Sequence, residues 1–118
     1  MEKRGIDLFR LDGRVAIVTG GSKGLGFTMA EGLASAGCDV ALVSRHQDEA
    51  EAAADQLVTA YAVRALGIRA DVTSETEVEA MTAQIVAAWG RIDVLINSAG
   101  INIRGPIEAV GFDAFKAV

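Results

Sequence analysis

The chain has 118 residues, of which 51% are apolar, and its formal net charge is −5. This length allows one small domain, and the acidic balance lacks the positive surface with which proteins bind nucleic acids or anionic membranes. A lone cysteine, Cys38, and a lone histidine, His46, exclude an internal disulfide and make a structural zinc site implausible. Residues 1–14 lack the apolar core of a signal peptide and no apolar run is long enough to span a bilayer, so we expect a cytoplasmic protein.

Short apolar segments alternate with longer helical patterns, which predicts an α/β fold with a parallel sheet. The first strand is Val15 to Val18, a continuous apolar run of the kind buried on both faces of a sheet. A glycine-rich turn, Gly20 to Gly26, opens a helix that is predicted to run to about Ala36 and stop at Gly37. Apolar residues at three-to-four spacing should turn one stripe of this helix toward the sheet, namely Met29, Ala30, Leu33 and Ala34.

The middle of the chain repeats the alternation. A second strand is predicted at Val40 to Val43, a helix with an acidic face from Gln47 to about Ala60, and a weaker third strand from Val63 to Ala70 that Gly67 interrupts. Ser74 and Glu77 have the spacing of a capping box, in which both side chains satisfy free amides at a helix start.

The last predicted helix before residue 100 ends at Gly90, and its apolar face consists of Val78, Met81, Ile85 and Trp89. Ile92 to Ile96 is the predicted fourth strand. A new helical pattern begins at Phe112 and the sequence stops within it at Val118, from which we expect a domain that is truncated in a helix.

The glycine-rich segment reads Thr19-Gly20-Gly21-Ser22-Lys23-Gly24-Leu25-Gly26. Between a buried strand and a helix, glycines let a pyrophosphate approach the backbone, and the helix N-terminus attracts the anion. A tight turn that merely needs small residues is the alternative, and three glycines at this spacing favour the phosphate site. The spacing differs from G-x-G-x-x-G, because Met29 stands three residues after Gly26.

The pattern T-G-x-x-x-G-x-G instead resembles the signature of the short-chain dehydrogenase/reductase family. Asp71-Val72 after the third strand and Asn97-Ser98-Ala99-Gly100 after the fourth continue the resemblance, the latter like the family's N-N-A-G with Ser98 in place of one Asn. The resemblance runs from about Leu11 to Val118. It implies a Rossmann-type doubly wound parallel sheet, here incomplete with about four strands in the order 3-2-1-4, in a single domain over residues 1–118.

The resemblance also implies roles in holding a dinucleotide. The pyrophosphate would lie at Gly20, Ser22, Gly24, Leu25 and Gly26, the adenine at Asp71 and Val72, and the adenosine ribose at Asn97, Ala99 and Gly100. Asp71 has an alternative role as a turn residue before a capped helix, and for Asn97 a purely structural tie between strands is as plausible as ligand contact.

The end of the second strand suggests which dinucleotide is bound. An NAD site places a carboxylate there to bind the ribose 2′-hydroxyl, whereas this chain has Ser44 and Arg45. Arg45 can hold a phosphate in a bidentate pair, and Lys23 adds a second cation, a combination that in the resembling family accompanies NADP. NADP(H) is therefore favoured over NAD(H), with ordinary surface charges as the alternative. His46 is interpreted as a solvated loop residue and Cys38 as a small packing residue.

A catalytic tyrosine with a lysine four residues later, which the family requires, is not found in this sequence. Tyr61 is the only tyrosine, and Ala65 stands four residues after it. In the family these groups and the catalytic serine follow a fifth strand, and the catalytic asparagine would fall just past Val118. We therefore assign no catalytic residue and expect the chain to be inactive alone.

Three functions remain open. In the first, the chain belongs to an NADP-dependent reductase or dehydrogenase of a small carbonyl or alcohol substrate. In the second, it is a non-catalytic dinucleotide-binding module. In the third, it is a nonfunctional fragment that associates through an exposed sheet edge. Residues Gly100 to Ile107 resemble sugar-acid dehydrogenases of the gluconate 5-dehydrogenase type. An S-adenosylmethionine-dependent methyltransferase would not explain the motifs at Asp71 and Asn97.

Overall fold

The computed structural model describes residues 5–98 of the chain. A 3-10 helix, Gly5–Phe9, precedes four strands that alternate with three α-helices: β1 (Val15–Thr19), α1 (Gly24–Ser35), β2 (Asp39–Ser44), α2 (Gln47–Tyr61), β3 (Ala65–Arg69), α3 (Glu75–Trp89) and β4 (Val94–Asn97). The strands form one sheet in the order β3-β2-β1-β4, and every pair is parallel. The predicted fold class and strand order are confirmed. The helix predicted from Phe112 lies outside the described residues.

Helices cover both faces of the sheet, and each face has its own apolar cluster. On one face α1 and α2 pack against alternate residues of β1 and β2, around Val18, Leu42 and Leu57. On the other face α3 packs against the remaining residues, around Ile17, Val43 and Ile85. Burial on both sides explains why β1 and β2 are continuous apolar runs.

The predicted apolar stripes agree with the packing, although small residues are more important in α1 than the pattern suggests. Ala30 and Ala34 are fully buried, whereas Met29 and Leu33 are only partly buried. The short alanine side chains let the helix axis approach the sheet closely. In α3, Met81 and Ile85 are buried, and Val78 and Trp89 pack beside them as predicted.

The third strand differs from its prediction. It spans Ala65–Arg69, shorter than predicted at both ends, and it runs through Gly67 without interruption. The glycine is there because α2 crosses the strand at this point: a Cβ atom on Gly67 would lie 2.4 Å from the carbonyl carbon of Ala50. Gly67 therefore permits a close helix–strand contact instead of breaking the strand. The fourth strand is shifted, to Val94–Asn97.

Only half of the predicted capping box forms. The Ser74 hydroxyl accepts from the Glu77 amide at 3.3 Å, as predicted. The Ser74 amide donates to the carbonyl of Asp71 at 3.0 Å, and the Glu77 carboxylate pairs with Arg69. The Arg69 guanidinium at the end of β3 therefore binds the Glu77 carboxylate, which the capping-box pattern predicts to accept from an amide at the start of the helix.

The 3-10 helix at the start of the described chain was not predicted. It is five residues long, too short for a helical period to show in the sequence, and its three large apolar side chains are strongly exposed: Ile6, Leu8 and Phe9.

Asp93 ties the beginning of β4 to the beginning of β1. Its carboxylate accepts from the Val15 amide at 2.9 Å and from Arg91 at 2.6 and 2.8 Å, and Arg14 lies 3.5 Å away. The hydrogen bonds from Arg91 and then from Val15 lower the pKa of Asp93 to about 2. The ionised carboxylate is therefore the form that the folded state prefers.

This geometry predicts acid-sensitive stability. Because an unfolded aspartate titrates near pH 3.9, the contribution of Asp93 is fully present above that pH and is lost as the pH falls through about 2. Asp93→Asn should lower the free energy of unfolding at neutral pH. Between about pH 3.9 and about 2, the free energy of unfolding should then decrease less than it does in the wild type. Urea unfolding of both proteins over a series of pH values measures the difference, with Asp55→Asn at an exposed position of α2 as the control. Parallel pH profiles for wild type and Asp93→Asn would contradict the assignment.

Candidate functional site

The predicted site residues follow strands whose carboxyl ends meet at one edge of the sheet. Thr19 at the end of β1 pairs with Asn97 at the end of β4, and Ser44 at the end of β2 pairs with Arg69 at the end of β3. Chain order reverses at β1, which lies between β2 and β4. In open parallel sheets this switch point leaves a crevice at the carboxyl edge, which is where such folds bind ligands.

The turn after β1 depends on left-handed backbone at two glycines. Gly20 has φ +66° and Gly24 has φ +61°, values that side chains with a Cβ atom rarely adopt. The Gly20 amide donates to the carbonyl of Val43 at 2.8 Å, so the turn is tied to β2 as it leaves β1. The backbone then reaches α1 with Ser22 half-buried and Lys23 exposed to solvent.

Gly26 is required for a different reason. A Cβ atom at this position would lie 2.1 Å from the carbonyl oxygen of Gly20 and 3.2 Å from Oγ of Ser98. The first turn of α1 therefore packs directly on the backbone of the glycine-rich turn and beside the end of β4. This contact brings the motif after β1 and the motif after β4 together in space.

Gly21 is a structural requirement that the sequence analysis missed. A Cβ atom there would lie 2.7 Å from Cδ2 of Leu42 and 2.9 Å from the carbonyl oxygen of Val18. The residue is buried between β1 and β2 at the start of the turn. The adjacent pair Gly20-Gly21 is the signal that could have indicated it, since two successive positions there have no side chain.

The N-terminus of α1 is open to an anion. The residue before the helix, Lys23, makes no side-chain cap, and the first turn contains no acidic residue. In contrast, α2 has acidic residues in its first turn, and α3 has acidic residues and a serine cap. The amides of Gly24, Leu25 and Gly26 therefore have no acceptor within the helix, and the positive end of the helix dipole has no carboxylate in its first turn.

The end of β4 is bound to the end of β1 through side chain and backbone. The Thr19 hydroxyl lies 3.3 Å from Oδ1 of Asn97 and 3.4 Å from the carbonyl of Ile96, and Thr19 is 3% exposed. The Ser98 amide donates to the Thr19 carbonyl at 3.1 Å. Asn97 thus has the strand-to-strand contact that was one of its two predicted roles, and it is solvent-exposed. Ala99 and Gly100 lie outside the described residues.

Asp71 and Arg45 follow two strands, β3 and β2, that pair at their carboxyl ends through Arg69 and Ser44. Oδ1 of Asp71 accepts from the Thr73 amide at 2.9 Å and from the Thr73 hydroxyl at 2.6 Å. These bonds lower the pKa of Asp71, and the charges of Arg45 and Arg69 lower it further. Asp71 therefore forms a turn with Thr73, as in the alternative role predicted for it, and its carboxylate favours the ionised form.

The surroundings of this pair are mostly exposed. Val72, the residue predicted to line an adenine ring, is 41% exposed. The Ser44 hydroxyl accepts from the His46 amide at 3.1 Å, which shapes the loop between β2 and α2 around Arg45. His46 is exposed and precedes α2, as expected of a loop residue.

Tyr61 and Cys38 lie away from this edge. Tyr61 is the last residue of α2, packs against the cluster beneath α1 and α2, and donates to Glu31 at 2.9 Å, which raises its pKa. Cys38, just before β2, is fully buried, and burial raises the pKa of its thiol to about 11. Both are packing residues, as predicted, at the amino edge of the sheet.

A cleft of about 430 Å³ also lies at the amino edge, opposite the predicted site. Its charged side chains are already paired with one another: Arg10 with Asp12 at 2.7 Å, and Arg64 with Asp39 at 2.7 Å. Arg64 also lies over the ring of Trp89, 5.3 Å from the centroid. The four charges of the cleft are therefore engaged with one another, and the Arg64–Asp39 pair joins the residue before β3 to the start of β2.

Residues 5–98 contain no cluster of three or more His, Cys, Asp or Glu side chains that could hold a metal ion. Over the same range, no helix has both the length and the apolar character needed to cross a membrane.

Comparison with known families gives a match over nearly the whole chain. The family model described as short chain dehydrogenase matches residues 14–118. A peroxisomal 2,4-dienoyl-CoA reductase from Danio rerio is 37% identical over 108 residues, covering 92% of this chain and 36% of that protein. A 2-dehydro-3-deoxy-D-gluconate 5-dehydrogenase from Formosa agariphila is 36% identical over 116 residues, covering 96% of this chain and 43% of that protein.

Solved structures agree with the fold. An L-sorbose reductase from Gluconobacter frateurii, crystallised with NADPH and L-sorbose, superposes with a TM-score of 0.81 at 31% identity, covering 92% of this chain and 41% of that one. A short-chain type dehydrogenase/reductase from Mycobacterium marinum gives a TM-score of 0.84 at 35% identity, with 94% and 43% covered. The chain therefore spans well under half the length of the proteins it matches.

Proposed function

Because this chain belongs to the short-chain dehydrogenase family, we propose that it is the cofactor-binding part of an NADP(H)-dependent oxidoreductase that acts on a small carbonyl or alcohol substrate. One observation carries the proposal: the end of β2 presents Arg45 where an NAD site would have a carboxylate, next to the paired end of β3 that Asp71 follows. Both residues belong to the carboxyl edge at which the strand order reverses.

The pyrophosphate of the cofactor would lie at the N-terminus of α1. The uncapped amides of Gly24, Leu25 and Gly26 are donors for its oxygens, and the absence of side chains at the turn lets it approach the backbone. Ser22 adds a hydroxyl to the same turn, and the close packing of Gly26 on Gly20 keeps these donors in place.

The adenosine end would lie across the ends of β2 and β3. Asp71 has Oδ1 engaged by Thr73, and its Oδ2 is the oxygen that would accept from the adenine amino group. Exposed Val72 would cover the ring, whose transfer onto this apolar surface is favourable. The ribose 2′-phosphate would pair with Arg45 and Lys23, both exposed cations next to the helix and strand ends that form the site.

The nicotinamide supplies the hydride chemistry when the cofactor is bound. The 118 residues contribute the binding and orientation, and they include no tyrosine with a lysine four residues later. We therefore propose that these residues alone bind NADP(H) without turning substrate over. The NADPH complex of the similar L-sorbose reductase supports the cofactor assignment, since that protein has the same fold over this region.

Thermal denaturation with added nucleotide tests the proposal. A ligand that binds only the folded state at about 1,000 times its dissociation constant stabilises it by about 4 kcal/mol. NADPH should therefore raise the melting temperature clearly more than NADH does at the same concentration. Equal shifts would refute the NADP(H) preference. No shift with either nucleotide, together with aggregation on size exclusion, would favour the nonfunctional fragment, in which exposed Leu95 on β4 would associate between copies.

A further inference from the structure

The side-chain amide of Gln47 binds the free edge of β3. Its Oε1 accepts from the backbone amide of Arg69 at 2.9 Å, and its Nε2 donates to the backbone carbonyl of Gly67 at 3.1 Å. Because β3 is at the end of the described sheet, these two backbone groups have no strand beside them. Gln47 thus occupies the place of a peptide group in a neighbouring strand.

A second contact holds the same turn of α2 on the same strand. Gly67 lies directly beneath α2, where an added Cβ atom would come within 2.5 Å of backbone atoms of Ala50 and Glu51. Nε2 of Gln47 also donates to the Glu51 carboxylate at 2.8 Å, which orients the amide. The start of α2 and the end of β3 are therefore fixed to each other by hydrogen bonds and by backbone contact.

This attachment restrains the loop that carries Arg45, in addition to the direct pairing of β2 with β3. Arg45 is two residues before Gln47 in the chain, and Asp71 is two residues after Arg69. The register of β2 and β3 pairs Ser44 with Arg69, and the Ala70 amide donates to the Ser44 carbonyl at 2.9 Å, so Arg45 and Asp71 follow neighbouring strands at the same edge. Without the Gln47 bonds, the loop that carries Arg45 would have fewer restraints, and a bidentate pair with a phosphate depends strongly on geometry.

We propose that Gln47 is a positioning residue for cofactor selectivity, which restrains the loop that carries Arg45 beside the end of β3, where Asp71 follows. This proposal rests on the proposed NADP(H) function. A glutamine suits the task because its amide has both a donor and an acceptor at the end of two methylene groups. Methionine has a similar length and neither of these groups, so Gln47→Met removes the bonds and keeps most of the volume.

The test is a comparison of the dissociation constants of this protein for NADPH and NADH. Gln47→Met should weaken NADPH binding about fivefold, because a less restrained Arg45 must then be ordered when the phosphate binds, and NADH binding by less than about twofold. Gln56→Met, an exposed change on the same helix, should leave both constants unchanged. Melting temperatures of both variants record any general loss of stability.

A double-mutant cycle separates positioning from a purely structural role. If Gln47 acts through Arg45, Gln47→Met should cause no further loss of NADPH affinity in an Arg45→Ala background. Equal weakening of the two nucleotides, or the same loss in both backgrounds, would overturn the positioning role while leaving the proposed function intact. A wild-type protein that binds NADPH no more tightly than NADH would overturn the proposed function and this inference with it.

Discussion

Arg45→Asp is expected to reverse the nucleotide preference, from NADPH to NADH. The variant loses the charge-assisted bonds to the 2′-phosphate and puts a carboxylate against it, so NADPH affinity should fall by about 100-fold or more. The same carboxylate can accept a hydrogen bond from the ribose 2′-hydroxyl of NADH, whose affinity should rise a few-fold. Isothermal titration with each nucleotide gives the two dissociation constants.

Two further variants separate the causes of this reversal. Arg45→Ala removes the attraction without adding repulsion, so NADPH affinity should fall to about that of NADH. Arg10→Asp makes the same change in net charge at the opposite edge of the sheet, where it faces the amino-edge cleft, and it should leave the ratio of affinities unchanged. If Arg45→Asp keeps the wild-type ratio, Arg45 is an ordinary surface charge and the cofactor assignment loses its basis.

The parallel sheet was predictable because it depends on patterns with a strong physical origin, whereas its strand order came from the resemblance to the family. Strands buried on both faces, such as β1 and β2, must be continuously apolar, and parallel strands need helical connections. Once the sheet is parallel, residues that follow the strands must meet at the carboxyl edge. Arg45 and Asp71 could therefore be placed near each other, although they are far apart in the sequence.

Contacts between particular side chains were much less predictable, because a side chain often has several possible partners and the tertiary fold determines which of them it binds. The Glu77 carboxylate has the spacing to bind the Ser74 amide, but Arg69 from another element reaches it. Gly67 was interpreted as a weak point because the helix that crosses it belongs to a different part of the chain. The attachment of Gln47 to β3 was missed for the same reason. An exposed polar residue at the start of a helix does not indicate a hydrogen-bond partner twenty residues away in the sequence.

Gly26→Ala should be the most destabilising single methyl addition at the site. The new Cβ atom would lie 2.1 Å from the Gly20 carbonyl oxygen. Because the backbone of α1 fixes the Cβ position and the oxygen belongs to the backbone of the turn, the first turn of α1 must move as a whole. We expect a loss of about 3 kcal/mol in the free energy of unfolding, at the upper end of the usual cost of overpacking. Movement of α1 also displaces the amides proposed to bind pyrophosphate, so NADPH and NADH should weaken together.

Gly32→Ala on the same helix is the matched control, because within residues 5–98 no atom beyond its neighbours and the backbone of its own helix lies within 4 Å of the position its Cβ would take. Alanine is the better helix former, and this variant should gain about 0.5–1 kcal/mol and bind both nucleotides as the wild type does. Urea unfolding followed by circular dichroism measures the two changes. Opposite signs for the two variants would establish that close approach, and not helix propensity, requires glycine at position 26. A loss for Gly32→Ala similar to that for Gly26→Ala would contradict the packing of α1 described above.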